Sequence, residues 1–311
     1  MPKGSKLWRL ATVGMVAAVV LAACGSDDDG GTVGGSDDTS GGAKAAKTVA
    51  IAFMGALTGD NANLGINARD GLKLAVDAAN AAGGDITITI KEFDTAGDAA
   101  QATTLKDQVT GDASVIGVMG PVFSGESKAV IPTFEDAGLV MVSPSATNAA
   151  LPDVAPNSRV FHRVIADDAL QAAGIARYVT ETVKPASVAY VHDNTEYGKG
   201  LTDDVARQIA AKDIKTVLTD TVDPDAEDYS ATVNKVIAAK PALLFYGGYY
   251  AEAGRFRKQL VDAGSKATFV SGDGSLDPGF VTAAGPASAE GAVLTCPCNL
   301  ASASSTGKLK S

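Results

Sequence analysis

The stretch that decides the fold, from Ser114 to Leu151, reads SVIGVMGPVFSGESKAVIPTFEDAGLVMVSPSATNAAL. It contains two apolar runs, Val115–Met119 and Leu139–Val142, which have the lengths of buried parallel strands. An amphipathic helix is predicted between them, over Glu126–Ala137, with its apolar residues on one face. A strand, a helix and a second strand in this order predict a parallel sheet covered by helices.

Each predicted strand is followed by a loop of small residues that carries hydroxyl groups. The first loop, Gly120–Gly125, contains Ser124, and the second, Ser143–Asn148, contains Ser145 and Thr147. Ligands bind beyond the carboxyl ends of parallel strands, and hydroxyls with N–H groups at helix starts suit a small anion such as a carboxylate. For each residue alone, an N-cap or a turn former is the simpler interpretation. The two loops together favour a binding site.

The alternation of strand and helix continues on both sides of this stretch. Residues 48–109 are predicted as strand, helix, strand and helix, residues 157–168 as a connection, and residues 169–295 as a second alternating series. We therefore predict an α/β fold with two doubly wound parallel-sheet lobes and a ligand cleft between them. The two halves do not match closely enough in sequence to be called a repeat. The predicted parts are residues 48–167 for the N-terminal lobe, 168–296 for the C-terminal lobe and 297–311 for a crossover back and a tail.

Strand ends in the second half also carry side chains that suit a ligand. Tyr197 follows one predicted strand, Tyr249 a second, and Asp273 a third, within Gly-Asp-Gly. Together they predict a pocket with apolar walls and one anionic corner. Taken singly, they read as a helix-start contact, a surface aromatic and a turn former.

The N-terminus has the pattern of an export signal. Lys3, Lys6 and Arg9 precede an apolar segment, Leu10–Leu21, that is too short for a membrane span. The sequence LAACG at 21–25 resembles the lipobox of bacterial lipoproteins, which implies cleavage after residue 23 and lipid on Cys24. An ordinary secretory signal with a chance cysteine is the alternative.

Composition separates a tether from the globular part. Residues 24–47 are mostly Gly, Ser and Asp and predict a flexible tether, so the protein is expected outside the cell, anchored to the outer face of the membrane. The formal charge is −10, and no basic patch with interleaved aromatics is present. Nucleic acid is therefore not an expected partner.

No pattern for catalysis or for a cofactor is found. The two histidines, His162 and His192, are not in a nucleophile–base arrangement, and Val122 replaces the first glycine of a nucleophile elbow around Ser124. There is no P-loop, dinucleotide fingerprint or metal-ligand cluster, so we predict neither an enzyme nor a cofactor. For Cys296 and Cys298, free thiols, external pairing and a strained mutual bridge remain open.

From about Thr48 to Pro297, the chain resembles the substrate-binding proteins of branched-chain amino-acid ABC transporters. These are the leucine/isoleucine/valine-binding type of type 1 periplasmic binding protein. The resemblance is carried by six segments in the order of the family: GALTG at 55–59, EDAG at 135–138, SPSATN at 143–148, VHD at 191–193, YGKGL at 197–201 and YGGY at 246–249.

The resemblance implies which residues bind the ligand. Ser124, Ser145 and Thr147 look like the residues that hold the α-carboxylate, and Asp273 looks like the partner of the α-ammonium. Leu64 stands where relatives often carry an aromatic residue, and Asp273 where they often carry glutamate, so the ligand preference is not transferred. The full set implied is Leu64, Ser124, Ser145, Ala146, Thr147, Asp168, Tyr197, Tyr249 and Asp273, with Leu64, Tyr197 and Tyr249 as pocket walls and Asp168 at the mouth.

The function implied is a lipid-anchored receptor that binds a small amino acid of the branched-chain type and delivers it to the permease of an ABC importer. Two alternatives stay open: a sensing module that regulates a partner protein, and an exported hydrolase that uses Ser124 or a cleft carboxylate. Family members usually continue well past the second crossover, whereas this sequence stops at Ser311. We therefore expect a C-terminal truncation, exposed apolar surface on the first lobe and reduced stability.

Overall fold

The computed structural model describes residues 47–298. The first lobe consists of β1 (Lys47–Gly55), α1 (Ala62–Ala81), β2 (Ile86–Asp94), α2 (Ala99–Gly111), β3 (Val115–Met119), α3 (Ser124–Ala137), β4 (Met141–Ser143) and β5 (Phe161–Arg163). The second lobe consists of α4 (Asp168–Arg177), a π-helical turn (Tyr178–Val183), β6 (Ser187–His192), α5 (Glu196–Ala210), β7 (Lys215–Thr221), α6 (Ser230–Ala239), β8 (Leu243–Gly247), α7 (Tyr250–Asp262), β9 (Thr268–Ser271), α8 (Pro278–Ala284), α9 (Pro286–Ala289) and β10 (Val293–Leu294).

Each lobe contains one five-stranded sheet whose strands all run parallel. The strand order is β2-β1-β3-β4-β5 in the first sheet and β7-β6-β8-β9-β10 in the second. The two orders are the same once β6 is matched with β1, so the chain builds one topology twice. The predicted α/β fold with two parallel-sheet lobes is confirmed.

Burial along the strands follows their place in the sheet. All five residues of β8, a central strand, are buried, because helices cover both of its faces. The residues of β2, an edge strand, are partly or fully exposed. Apolar clusters lie on both faces of each sheet, which explains why the central strands read as continuous apolar runs rather than as alternating ones.

The first hydroxyl loop runs directly into α3, so that Ser124 is the first residue of the helix. The helix begins at Ser124, two residues before the predicted start, because Glu126 in its first turn accepts the N–H of Phe123 at 3.1 Å. It ends at Ala137 and is followed by Gly138, whose φ of 62° is left-handed and favours glycine. Ser124 therefore lies in the first turn of a helix that points its N–H groups at the cleft.

One prediction about the connection between the lobes was incomplete. Within residues 157–168, Phe161–Arg163 form β5, a strand that pairs in parallel with β4 at the edge of the first sheet. The chain then passes to the second lobe before α4. The strand is only three residues long, too short for a period-two pattern to identify it.

Three other expectations concern the ends and the surface. Cys296 and Cys298, left open by the sequence, form a disulfide bond. Ile116 and Val140 of the first lobe are exposed, while the expected loss of stability stays a prediction. Lys47, the last residue of the predicted tether, begins β1. Cys24, the signal segment, the rest of the tether and the last residues of the tail fall outside 47–298. Within that range, no helix is both long enough and apolar enough to span a bilayer.

Candidate functional site

A cavity of about 120 Å³ lies between the two lobes, at the carboxyl ends of both sheets. Six of the nine predicted ligand-binding residues line it, and they come from both lobes. Its lining consists of Leu64, Ala68, Val122, Phe123, Ser124, Pro144 and Ser145 from the first lobe and Tyr197, Tyr249, Asp273 and Gly274 from the second.

Two hydroxyls from the first lobe face this cavity, and they differ in what they still offer. The Ser124 hydroxyl accepts the N–H of Asn148 at 3.2 Å, and no residue within 47–298 accepts its proton. The Ser145 hydroxyl donates its proton to the carbonyl of Val122 at 2.7 Å. Ser124 therefore keeps a hydrogen-bond donor for a ligand, whereas Ser145 has already committed its donor.

The second lobe supplies a tyrosine and a carboxylate that are locked together. Tyr197 donates its hydroxyl proton to Asp273 Oδ1 at 2.8 Å and accepts the N–H of Gly274 at 2.8 Å. Both partners of the Tyr197 hydroxyl are thus protein groups, and this fixes the orientation of Asp273. This bond uses one acceptor site of Asp273 Oδ1, so the carboxylate keeps further acceptor sites on both oxygens for a cationic group.

Aromatic rings close the cavity on one side. The Tyr249 ring meets Phe123 edge to face at 4.9 Å between centroids and lies 5.0 Å from the Tyr197 ring. Leu64 of α1 packs against apolar clusters of both lobes. The contacts of Phe123 with Tyr249 and of Leu64 with the second lobe cross between the lobes, so the apolar wall is complete only when the lobes are together.

Three predicted residues lie behind the cavity wall instead of lining it. Ala146, Thr147 and Asp168 are each fully buried. The N–H of Ala146 donates to Ser143 at 3.0 Å, and its carbonyl accepts from Arg163 at 3.2 Å. Asp168 was expected at the mouth of the cavity. In the structure it is enclosed beside Thr147, whose carbonyl accepts the N–H of Asp168 at 2.8 Å.

Both carboxyl groups of the site have pKa values above their usual range. Burial raises the pKa of Asp168 to about 8, and the neighbouring charge of Asp273 adds to this increase. Burial also raises the pKa of Asp273, although its bond with Tyr197 acts in the opposite direction. Burial and the charges of both carboxylates hold the pKa of Tyr197 well above its usual range.

The lobes touch on both sides of the cavity. On one side Lys128 of α3 pairs with Glu196 at the start of α5 at 2.6 Å. On the other side Arg255 of α7 pairs with Asp60, just before α1, at 2.9 Å. Each lobe thus contributes one cation and one anion to these ion pairs. Because the lobes are in contact on both sides of the cavity, the structure is a closed form.

Several residues of the cavity were not predicted to bind the ligand. Phe123, Val122, Pro144, Ala68 and Gly274 line it beside the predicted set. The sequence contained a signal for Phe123, because it precedes the first turn of a helix and stands three residues before a glutamate. Ala68 is four residues after Leu64, on the same face of α1, and this spacing was also readable.

The residues considered for catalysis are not brought together. His192 accepts the N–H of Asn194 on its Nδ1 at 3.0 Å, and His162 Nε2 lies 3.1 Å from the carbonyl of Arg159. Neither contacts Ser124. Across residues 47–298, no group of three or more His, Cys, Asp or Glu side chains is arranged to hold a metal ion.

Two parallel-sheet lobes that enclose a small cavity, with polar groups at its ends, define a bilobal ligand-binding protein. Residues 48–306 match the family described as periplasmic binding protein, and the chain belongs to this family. The expected resemblance to its leucine/isoleucine/valine-binding type is confirmed by the relatives below.

The chain is 34% identical over 251 residues to Leu/Ile/Val-binding protein homolog 3 of Brucella melitensis biotype 1. The alignment covers 79% of this chain and 67% of that protein. In structure it is similar to LivJ of Streptococcus pneumoniae, a branched-chain amino acid transporter substrate-binding protein solved with isoleucine. That match has a TM-score of 0.70 and 28% identity, and covers 78% of this chain and 69% of that one.

The fold alone does not fix the ligand. A solute-binding protein of an ABC transporter from R. palustris, solved with 4-hydroxybenzoate, has a TM-score of 0.67 against this chain at 17% identity. That match covers 77% of this chain and 66% of that one. The ligand must therefore be argued from the side chains of the cavity.

Proposed function

We propose that the protein is a receptor for a small aliphatic amino acid of the branched-chain type. The observation that carries the proposal is the placement of Ser124 and Asp273 on opposite lobes, facing one small cavity with apolar walls. A zwitterion needs a donor for its carboxylate and an anion for its ammonium, and this cavity offers both. The similarity to proteins named for leucine, isoleucine and valine supports the same choice.

The energetics of such a site are sufficient for a small ligand. Charge-assisted hydrogen bonds contribute about 1.5–3 kcal/mol each. A few of these bonds and an apolar pocket reach about −8 kcal/mol, which corresponds to a micromolar dissociation constant. In the proposal Ser124 binds the carboxylate, Asp273 binds the ammonium, and Leu64 with Phe123 and Tyr249 surrounds the side chain. Ser145, Ala146 and Thr147 support the carboxylate subsite from the second loop.

Calorimetric titration of the full chain with the common amino acids tests the proposal. We expect leucine, isoleucine or valine to bind, and Asp273→Ala and Ser124→Ala each to weaken binding tenfold or more, about 1.4 kcal/mol. Asp136→Asn, on the exposed face of α3, is the matched control and should bind as the unchanged protein does. Unaltered affinity in both site variants would discard the assignment.

We further propose that the receptor is anchored by lipid on Cys24 and delivers its ligand to an ABC permease. The order of signal, tether and globular part supports anchoring, and the family supports transport. Labelled palmitate should enter the chain in cells and should be lost in Cys24→Ser. A sensing role stays an alternative, and assays of amino-acid uptake into cells distinguish the two roles. If the protein is a sensor, Asp273→Ala leaves uptake unchanged; if it is a transport receptor, the substitution reduces uptake.

The hydrolase alternative has less support. Ser124 is hydrogen-bonded to a backbone N–H and not to a histidine. Prolonged incubation of isoleucine and its small amides or esters with the full chain tests turnover. We expect each compound to be recovered unchanged.

A further inference from the structure

Five lysines lie at one end of the second lobe, where its helices lead into its strands. They stand in the connections before four strands: Lys184 before β6, Lys212 and Lys215 at the start of β7, Lys240 before β8 and Lys266 before β9. These strands are neighbours in the sheet, about 4.8 Å apart, so the connections extend across about 15 Å. All five lysines are exposed. We call the surface formed by these five lysines the basic end of the second lobe.

The charges of the basic end are not neutralised by neighbouring carboxylates. Among residues 47–298, none of the five lysines belongs to an ion pair. Lysines elsewhere on the surface, such as Lys73, Lys91 and Lys235, each pair with a carboxylate. Two exposed acidic residues outside those ion pairs, Glu181 and Asp213, lie in or next to the same connections. Five cations against two anions make this end positive, on a chain whose formal charge is −10.

The first lobe argues against a purely local reason for the lysines. A lysine at the C-terminal end of a helix stabilises that helix, and Lys184 and Lys240 stand at such ends. The first lobe has the same topology, but its corresponding connections read AGGD at 82–85, DAS at 112–114 and GLV at 138–140. They contain no lysine, although their helix ends make the same demand. The demand of helix ends therefore does not account for the basic end.

A cavity at the basic end suits an anion that carries an apolar part. It has a volume of about 320 Å³ and is flanked by Lys240 and Lys266. Val236, Ile237 and Pro241 form apolar walls beside these two cations. An anionic phospholipid offers a phosphate for the lysines and, directly next to it, the apolar glycerol ester for such walls. The combination favours a lipid surface over a partner that is only acidic.

The position of the basic end is compatible with ligand binding and with a membrane anchor. It lies at the amino ends of the strands, whereas the ligand cavity lies at their carboxyl ends, so contact at the basic end leaves the cavity accessible. The segment from Cys24 to Lys47 can reach about 80 Å when fully extended. A globular chain of this size has a radius of gyration of about 18 Å. Lipid on Cys24 would therefore allow the basic end to reach the same membrane.

We propose that the basic end of the second lobe docks on an anionic membrane surface and is a second attachment beside the lipid on Cys24. The inference goes beyond the proposed function and does not depend on the identity of the ligand. A lipid chain and a basic patch together hold a protein on a membrane more stably than either alone. Each lysine near an anionic leaflet strengthens binding about fivefold, and salt weakens this attraction.

The experiment measures sedimentation of the chain with lipid vesicles. Residues 25–311 are used, so that neither the apolar signal nor a lipid on Cys24 holds the protein, and the residues from Lys44 onward form a compact unit by themselves. The vesicles are phosphatidylcholine alone or phosphatidylcholine with one third phosphatidylglycerol. We expect binding to the anionic vesicles at low salt, no binding to phosphatidylcholine alone, and release at about 0.5 M NaCl, where the Debye length is about 4 Å.

A variant of the basic end tests whether the lysines cause the binding. In Lys215→Gln/Lys240→Asn/Lys266→Gln, the partition onto anionic vesicles should fall at least tenfold. Asparagine is chosen at 240 because φ there is +47°, a left-handed conformation that asparagine tolerates. If this variant does not unfold cooperatively in urea, Lys266→Glu in its exposed connection replaces it, with an expected loss of at least fivefold.

The matched control removes the same charge from other places on the surface. Lys73→Gln/Lys91→Gln/Lys235→Gln should keep vesicle binding within twofold of the unchanged chain. Affinity for isoleucine, measured by calorimetry, should be the same in both triple variants, because none of these lysines lines the ligand cavity.

Three results would overturn the proposal. The first is no binding of the unchanged chain to anionic vesicles, and the second is an equal loss of binding in the two triple variants. The third is binding to soluble polyglutamate, lost with the same lysines, without binding to vesicles, which would identify an acidic macromolecule as the partner. None of these readouts involves an amino acid. Failure of the receptor function would show only in the calorimetry, and the two inferences are judged separately.

Discussion

The loop from Gly120 to Glu126 in the first lobe and the loop from Gly247 to Glu252 in the second occupy equivalent places in their lobes. Each connects the third strand of the common topology to the next helix. In each, an aromatic residue, Phe123 or Tyr249, stands just before the helix, and a glutamate follows it three residues later. In each, the glutamate accepts the N–H of that aromatic residue. The two rings meet across the cleft.

The difference between the loops lies in the second partner of each glutamate. Glu126 accepts the hydroxyl proton of Thr95, which belongs to its own lobe. Glu252 accepts from Asn61 of the opposite lobe at 3.4 Å. The hydrogen bonds of Glu126 are therefore all made within the first lobe, whereas Glu252 gains its second hydrogen bond only when the lobes meet. One local motif thus serves folding in one lobe and closure in the other.

The largest effect on stability in a test of the two loops is expected at Gly120 of the first loop. Its φ is +119°, and an added Cβ would lie 2.2 Å from the carbonyl oxygen of Met54. Gly120→Ala should lower the free energy of unfolding by about 2–4 kcal/mol in urea titration, from backbone strain and a backbone clash. Gly117→Ala, with its nearest neighbour at 3.6 Å and an ordinary φ, should cost less than about 1 kcal/mol. Equal costs would show that the first loop is not rigid.

Thr95→Val tests whether Glu126 serves the stability of its own lobe. Thr95 is fully buried, and the substitution leaves Glu126 with one oxygen unpaired. We expect a loss of about 1–3 kcal/mol in the free energy of unfolding. The exposed Thr103→Val on α2 is the control and should change stability by less than about 0.5 kcal/mol. A ligand-binding defect without a stability defect would reverse the roles of the two loops.

The pH dependence of stability sharpens the comparison further. Burial raises the pKa of Glu126 to about 7 and that of Glu252 to about 8, the latter also through Asp193. Both folded-state pKa values exceed the usual glutamate pKa of 4.5, so the folded chain holds more protons than the unfolded chain. Stability therefore falls as pH rises toward those values.

Substitution by glutamine removes this decline. Glu126→Gln should flatten stability between pH 5 and about 7, and Glu252→Gln should flatten it up to about 8, each by on the order of 1–2 kcal/mol in ligand-free urea titrations. Asp136→Asn should leave the profile unchanged. Parallel profiles for the unchanged chain and both glutamine variants would refute the buried, proton-binding state of these side chains.

The smallest effect is expected at Asn61. Its amide donates to Glu252 and accepts the N–H of Ala251, both at 3.4 Å across the cleft. Asn61→Ala should weaken amino-acid binding about fivefold, near 1 kcal/mol, while the ligand-free unfolding free energy stays within about 0.5 kcal/mol. A fall in ligand-free stability with normal affinity would mean that Asn61 serves folding rather than closure.

Much of the fold was predictable because it depends on local patterns. The limits of β3 were predicted as the structure has them, since it is a short apolar run between clear breaks. The three-residue strand β5 and the short helices α8 and α9 were missed, because they are too short to show a period.

The site was predictable in part for a similar reason. Ser124, Tyr197, Tyr249 and Asp273 follow strands directly, and parallel strands deliver such residues to one edge, where the structure has them around one cavity. Their roles toward a ligand stay predictions. Phe123 was missed as a wall because its place depends on a ring from the other lobe.

The sequence by itself determined two parallel-sheet lobes with polar side chains at their strand ends, because periodicity and turn chemistry act over a few residues. Tertiary structure decided that the two halves share one topology, that Asp168 and Thr147 lie behind the cavity, and that Glu252 accepts a hydrogen bond from Asn61 of the other lobe. Those features depend on contacts between segments far apart in the chain. Burial and electrostatic neighbourhood arise only there, so no local pattern encodes them.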